Sequence, residues 1–161
     1  MSFLISKNSS IVILGLAGLI LLGGLFYNHR QKQSVQRAQQ LYFQGKSFVA
    51  QKNYERAIEL FRQALQLNPK HGMTYQMLGT MYDKKGEYPT AIEFYEHALP
   101  FALDSMEISR THYNLGVIYR DQLKDYDKAR KEFELSIKTH PPYIEKSFDP
   151  QSALSNLWIR N

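Results

Sequence analysis

The stretch LYFQGKSFVAQKNYERAIELFRQALQLNP, Leu41 to Pro69, decides how the chain is read. Its pattern returns twice. YQMLGTMYDKKGEYPTAIEFYEHAL spans Tyr75 to Leu99, and YNLGVIYRDQLKDYDKARKEFELSIKTHP spans Tyr113 to Pro141. Gly45, Gly79 and Gly116 correspond. So do Phe48, Tyr82 and Tyr119; Ala57, Ala91 and Ala129; Phe61, Tyr95 and Phe133; and Ala64, Ala98 and Ser136. A glycine and an alanine in each unit let two antiparallel helices approach closely, and the aromatic rings fill the space above and below that contact. One such pair cannot bury its apolar face alone, so pairs must stack. The expected fold class is all-α, a helix-turn-helix solenoid.

These residues resemble the tetratricopeptide repeat, a helix-turn-helix unit. In the first unit Leu41, Gly45, Phe48, Ala57, Phe61, Ala64 and Pro69 stand at the family's signature positions, and Gln44 stands where the family usually has leucine. Tyr75, Leu78 and Gly79 restore the signature in the second unit, and Leu115 and Gly116 in the third. The step from Gly45 to Gly79 is 34 residues and that from Gly79 to Gly116 is 37, so three residues are inserted around PFALDS. The third unit has one extra residue in its inner turn. The resemblance implies three units over residues 38–141, divided as 38–71, 72–108 and 109–142. LYFQG also matches the core of a viral-protease site used to remove purification tags. That site carries a glutamate where this chain has Gln39, and LYFQG is in phase with YQMLG and YNLG, so it belongs to the repeat.

Breaks are expected at Lys52-Asn53, Asn68-Pro69, Gly86, Pro100 and Pro141-Pro142. Pro89 suits the first turn of a helix, and Asp104 or Ser105 can cap one. Residues 143–161 are expected to end the solenoid with a short capping helix. Asp149 is its cap, Pro150 lies in its first turn, and Leu154, Leu157 and Trp158 share its apolar face.

The N-terminal part has another character. Asn8 to Asn28 is an uncharged run of 21 residues. As a helix it would span about 31 Å, the thickness of a bilayer core. A cleaved signal peptide has a shorter apolar region and an A-x-A-like site after it, whereas LFYNHRQ follows here. The expectation is an N-terminal tail at 1–10, a single-pass transmembrane helix at 11–28 in contact with the lipid bilayer, and a helical juxtamembrane linker at 29–37. Arg30, Lys32 and Arg37 outnumber Lys7 and the amino terminus by about one charge, which favours the cytoplasmic or stromal side for the soluble domain, with the periplasmic side as the alternative. Gly15, Gly18, Gly23 and Gly24 make no G-x-x-x-G, so no dimerising anchor is signalled.

Charge and composition exclude several function classes. The net charge is +5. Residues 1–37 supply +4, leaving a nearly neutral domain that lacks the basic face nucleic acid requires. There is no cysteine, hence no disulfide, thiolate metal site or cysteine nucleophile. No G-x-S-x-G, phosphate-binding glycine loop or H-E-x-x-H is present. His29, His71, His97, His112 and His140 are scattered without ligand spacing. Asp121, Asp125 and Asp127 lack the glycine and the closing glutamate of a calcium loop. No enzyme, cofactor or metal is expected.

What remains is a binding surface. The resemblance implies a concave groove lined by the first helix of each pair. Its groove-facing phases fall on Tyr42 and Lys46; on Met73, Gln76, Thr80 and Asp83; and on Arg110, Tyr113, Asn114, Val117 and Arg120. One subfamily clamps the carboxylates of chaperone tails. Here only Arg110 resembles that set, and Tyr42, Met77 and Asn114 replace its other members, so such a partner is disfavoured. The expected function is a membrane-tethered, non-enzymatic scaffold that binds a peptide segment or helix of a protein partner, in assembly or quality control of a membrane or envelope complex. The rival readings are a self-associating structural protein and an accessory subunit of a membrane enzyme complex.

Overall fold

The computed structural model describes the backbone of residues 2–139 and 150–159 and the side chains of residues 18–139 and 150–157. Among the described residues seven α-helices follow one another: α1 Ser2–Ala50, α2 Tyr54–Leu67, α3 Gly72–Lys84, α4 Tyr88–Ala98, α5 Ser105–Val117, α6 Tyr126–Thr139 and α7 Pro150–Ile159. A 3₁₀ turn, Leu99–Phe101, extends α4, and a π-helical turn, Ile118–Gln122, extends α5. No strand occurs among the described residues.

The last part of α1 pairs with α2, α3 with α4, and α5 with α6. Each pairing turns on one close approach. A Cβ on Gly45 would lie 2.5 Å from the Phe61 ring, on Gly79 2.9 Å from the Tyr95 ring, and on Gly116 2.6 Å from the Phe133 ring. Phe61, Tyr95 and Phe133 are correspondingly among the most buried side chains. A second small-residue contact joins the helices within the first pair and within the third. Ala38 and Ala64 share one apolar cluster in the first pair. In the third pair Ser109 Oγ donates to the Ser136 carbonyl and Ser136 Oγ to the Ser109 carbonyl, both at 2.8 Å. The hydroxyls thus satisfy each other where an apolar interior leaves no water to do so.

The inner turns share one device. Lys52 (φ 59°), Gly86 (φ 77°) and Lys124 (φ 56°) each adopt the left-handed conformation that reverses the chain. Lys52 and Gly86 lie seven residues beyond their signature glycines, but Lys124 lies eight beyond Gly116. The π-helical turn Ile118–Gln122 accommodates the extra residue, so the third pair closes in the same register as the others. Side chains cap the starts of α2 and α5, the latter at the expected Asp104. Asn53 accepts from the Arg56 N–H at 3.2 Å and Asp104 from the Glu107 N–H at 2.8 Å. The Glu107 carboxylate accepts in return from the Leu103 N–H at 2.9 Å. Pro89 and Pro150 both fall in first turns. Asp149, expected to cap α7, lies outside the described residues, as does the Trp158 side chain.

α7 packs on α6. Ala153 and Leu157 are buried with Ala129 and Phe133.

Among the described residues no helix break separates the segments expected at 1–10, 11–28 and 29–37. One helix, α1, runs from Ser2 to Ala50, because no proline interrupts it and no glycine lies between Tyr27 and Gln44. Among the described residues no helix is long and apolar enough to cross a membrane. The structure therefore does not show the expected transmembrane anchor. The part of the run with described side chains, residues 18–28, would span only about 16 Å as a helix. Within it Leu19, Ile20, Leu21, Leu22, Leu25, Phe26 and Tyr27 are all exposed, between 61% and 74%.

Candidate protein-binding groove

The first helices of the pairs meet through one contact that repeats from unit to unit. Tyr42 and Gln76 hold equivalent positions on α1 and α3, and each reaches an equivalent position on the next first helix, Met73 and Arg110. The Tyr42 hydroxyl lies 3.7 Å from Met73 Sδ. The Gln76 Oε1 accepts from Arg110 Nη2 at 2.8 Å. Gln76 Nε2 also donates to the Glu107 carbonyl at 3.0 Å and to Thr111 Oγ1 at 2.7 Å. Gln76 is thus fully engaged and only 3% exposed, so it rivets α3 to α5 and leaves little of itself for a partner.

Tyr42, Met73, Gln76, Thr80, Arg110 and Asn114 form one linked strip. Thr80 Oγ1 donates to the Gln76 carbonyl at 3.0 Å, and its oxygen is 3.0 Å from the Tyr95 hydroxyl. That hydroxyl also bonds Asn114. Burial pushes the Tyr95 pKa up to about 12, so its proton stays in place to hold the strip together. Burial likewise raises Tyr42, with the nearby Arg110 guanidinium opposing it. Lys46 stands at the edge of the strip, exposed, with its ammonium 5.8 Å from the centre of the Tyr42 ring. Asp83 is half-buried, and burial holds its carboxyl above the ordinary value, with Lys84 opposing.

Three expected groove residues are drawn elsewhere. Tyr113 occupies the position of Tyr42 and Gln76, but α7 takes the place of a further first helix beside it. Tyr113 and Val117 pack against the cluster of Ala129, Phe133, Ala153 and Leu157, and the Tyr113 ring is 5.7 Å from that of Phe133. Arg120 donates to both carboxylate oxygens of Asp121, at 2.7 and 2.8 Å, and lies 5.5 Å over the Phe133 ring. Its charge is largely committed within the chain.

Sequence reasoning missed the roles of Tyr95, Glu107, Thr111 and His71. The repeat pattern predicts the Tyr95 ring in the core, where it lies, but its hydroxyl bonds to the strip at Thr80. His71 packs edge-on to Tyr42 at 5.1 Å and its Nδ1 lies 2.5 Å from Thr74 Oγ1. Only the unit-to-unit phase could have pointed to these residues.

The exposed cations of the strip are Lys46 and Arg110, beside the Met73 thioether and the Asn114 amide. Such a surface suits hydrogen bonding to an extended peptide or the polar flank of a helix. Among the described residues no group of three His, Asp or Glu side chains converges to hold a metal ion.

Tetratricopeptide-repeat family models match residues 31–104 and residues 109–141. The BBSome complex member BBS4 of Bos taurus is 36% identical over 85 residues, covering 53% of this chain and 15% of that protein. The intraflagellar transport protein 88 homolog of Homo sapiens is 29% identical over 127 residues, covering 73% of this chain and 15% of that protein. This chain therefore spans about a seventh of either relative. Among solved structures, the first tetratricopeptide domain of Spaghetti (RPAP3), bound to the HSP90 peptide SRMEEVD, superposes with a TM-score of 0.68. It is 17% identical and the match covers 78% of this chain and 94% of that one, a likeness of fold.

Proposed function

Because the chain belongs to the tetratricopeptide-repeat family, we propose that it is a non-enzymatic scaffold that binds a segment of a protein partner in its concave groove and is tethered to a membrane by residues 11–28. The carrying observation is the linked strip from Tyr42 through Gln76 to Arg110 and Asn114, which joins three helix pairs into one continuous face. A face built across units contacts an elongated segment at several points at once, which is what repeat scaffolds supply. The similar proteins support a protein partner. One is named as a member of a multiprotein complex and one as an intraflagellar transport protein, and the superposed solenoid holds a peptide.

The tether rests on the apolar run. Seven large apolar side chains between Leu19 and Tyr27 are spread around the whole circumference of α1 and are all exposed. Burying such a surface in lipid is worth about 1.5–3 kcal/mol for each large side chain. Tethering raises the effective concentration of a membrane-resident partner without high intrinsic affinity. The soluble domain then faces the cytoplasm or stroma, and assembly or quality control of a membrane complex is the task that fits.

Two measurements test this reading. A photoreactive residue at Lys46 or Arg110, introduced in the native membrane, should give a defined adduct that the same residue at Glu96 or Lys131, exposed on second helices, does not. The same adducts from both faces would refute the groove assignment. The chain has no cysteine, so a single cysteine added after Asn161 is its only thiol. Protection from an impermeant maleimide in intact cells or organelles is expected. Labelling would place the domain on the periplasmic side and overturn the orientation.

A further inference from the structure

α1 carries charge of one sign along its whole length. Residues 1–54 hold Lys7, Arg30, Lys32, Arg37, Lys46 and Lys52, and the first acid is Glu55. The remaining residues hold fourteen Lys and Arg against fifteen Asp and Glu. The basic character is therefore concentrated on the helix that leads out of the apolar sleeve.

The placement is specific. At 1.5 Å per residue Arg30 lies about 4.5 Å and Lys32 about 7.5 Å beyond Tyr27. The headgroup layer on one side of a bilayer is about 5–8 Å thick. Both cations therefore stand at headgroup depth if the sleeve is in lipid. They are exposed, and at 100° per residue they point to opposite sides of the helix, so they form a collar rather than a stripe. The Arg30 guanidinium lies 5.1 Å over the Phe26 ring, and Phe26 and Tyr27 fall where interfacial aromatic residues sit. α1 continues unbroken into the first repeat, so no flexible joint can lift the collar off the surface.

We propose that Arg30 and Lys32 form a collar that gathers anionic phospholipid headgroups around α1. The proposal rests on the membrane-tether reading above. Phosphate-bearing acidic lipids are the occupant that matches the depth, the sign of charge and the encircling arrangement, and an acid-free helix offers such lipids no repulsion.

The test uses the full chain in phosphatidylcholine vesicles that contain a minor fraction of phosphatidylglycerol. Gln36→Cys, an exposed position, supplies a single thiol for a donor fluorophore, and acyl-labelled phosphatidylglycerol or phosphatidylcholine is the acceptor. Energy transfer should report phosphatidylglycerol enrichment by up to about fivefold per cation. It should fall to the phosphatidylcholine level in R30Q/K32Q and in about 0.5 M salt, which screens exposed charges beyond a few ångströms. Equal transfer to the two lipids from vesicle-bound protein would overturn the collar and leave the tether standing. Failure of the protein to float with either kind of vesicle would overturn the tether, and the collar with it.

Discussion

Adding one methyl group at Gly116 sets two opposing effects against each other. Alanine is a better helix former than glycine by about 1 kcal/mol in a helix interior, so propensity alone predicts stabilisation. The new Cβ would lie 2.6, 2.7 and 3.0 Å from three carbons of the Phe133 ring. That ring cannot retreat: it is completely buried, with Ala129, Ala153 and Leu157 in its cluster and the Arg120 guanidinium over its face. Overpacking of this kind typically costs about 1–3 kcal/mol before any gain is counted. A forced separation of α5 from α6 would also disturb the reciprocal Ser109–Ser136 bonds, each worth about 1 kcal/mol. Gly116→Ala should therefore destabilise the domain by about 1–2 kcal/mol net. Urea denaturation of the full chain in detergent, followed by far-ultraviolet circular dichroism, measures this. The partner substitution Phe133→Leu should be costly alone, yet less costly in the alanine background, because the smaller side chain makes room for the methyl group. A favourable coupling of about 1 kcal/mol is expected. If Gly116→Ala instead stabilises the protein by the full propensity difference, the close approach of the helices is wrong.

Other consequences are simpler to state. Lys52→Gly and Lys124→Gly should each stabilise by about 0.5 kcal/mol, the left-handed penalty of about 1–2 kcal/mol exceeding glycine's added unfolded-state entropy, and thermal denaturation reads the difference. Gly86→Lys should do the reverse. Gln76→Ala removes the bonds to Arg110, Thr111 and the Glu107 carbonyl and should cost about 1–3 kcal/mol; hydrogen exchange should speed up in α5 and α6 more than in α2. His71 has its pKa lowered by burial, with Glu107 opposing, so the unfolded chain takes up that proton first as pH falls below about 6.5. The stability it contributes is complete above that pH and declines between there and its lowered folded value. Urea midpoints measured across this window should lose that decline in His71→Gln.

Much of the solenoid was legible because its close contacts demand rare residue types. A glycine facing an aromatic ring is a strong constraint, and three such pairs in phase define three helix pairs. The extra residue of the third inner turn was also visible as a count, and the π-helical turn is its physical answer. The groove was less legible. Its phases fall on Tyr42, Met73, Gln76, Thr80, Arg110 and Asn114, which the structure links side by side, but phase does not say which polar side chain is consumed by its neighbours. Gln76 is spent on α5, and Tyr113 and Val117 on the cluster beneath α7. Gly72 shows the same limit. The inserted residues after α4 bring the Phe101 carbonyl to 2.5 Å from where its Cβ would stand, a contact that no repeat pattern announces.

The unbroken course of α1 makes the bearing of the groove a matter of residue count. Tyr42 and Lys46 belong to the same rod as Leu19 and Tyr27, so whatever grips the N-terminal end aims the concave face. One residue inserted between Arg30 and Gln40 would advance the solenoid by about 1.5 Å and swing its face through about 100°. Seven inserted residues would carry it about 10.5 Å outward while restoring the original heading to within about 20°. Partner engagement that fails with one added residue and returns with seven would make this helix a compass as well as a stalk.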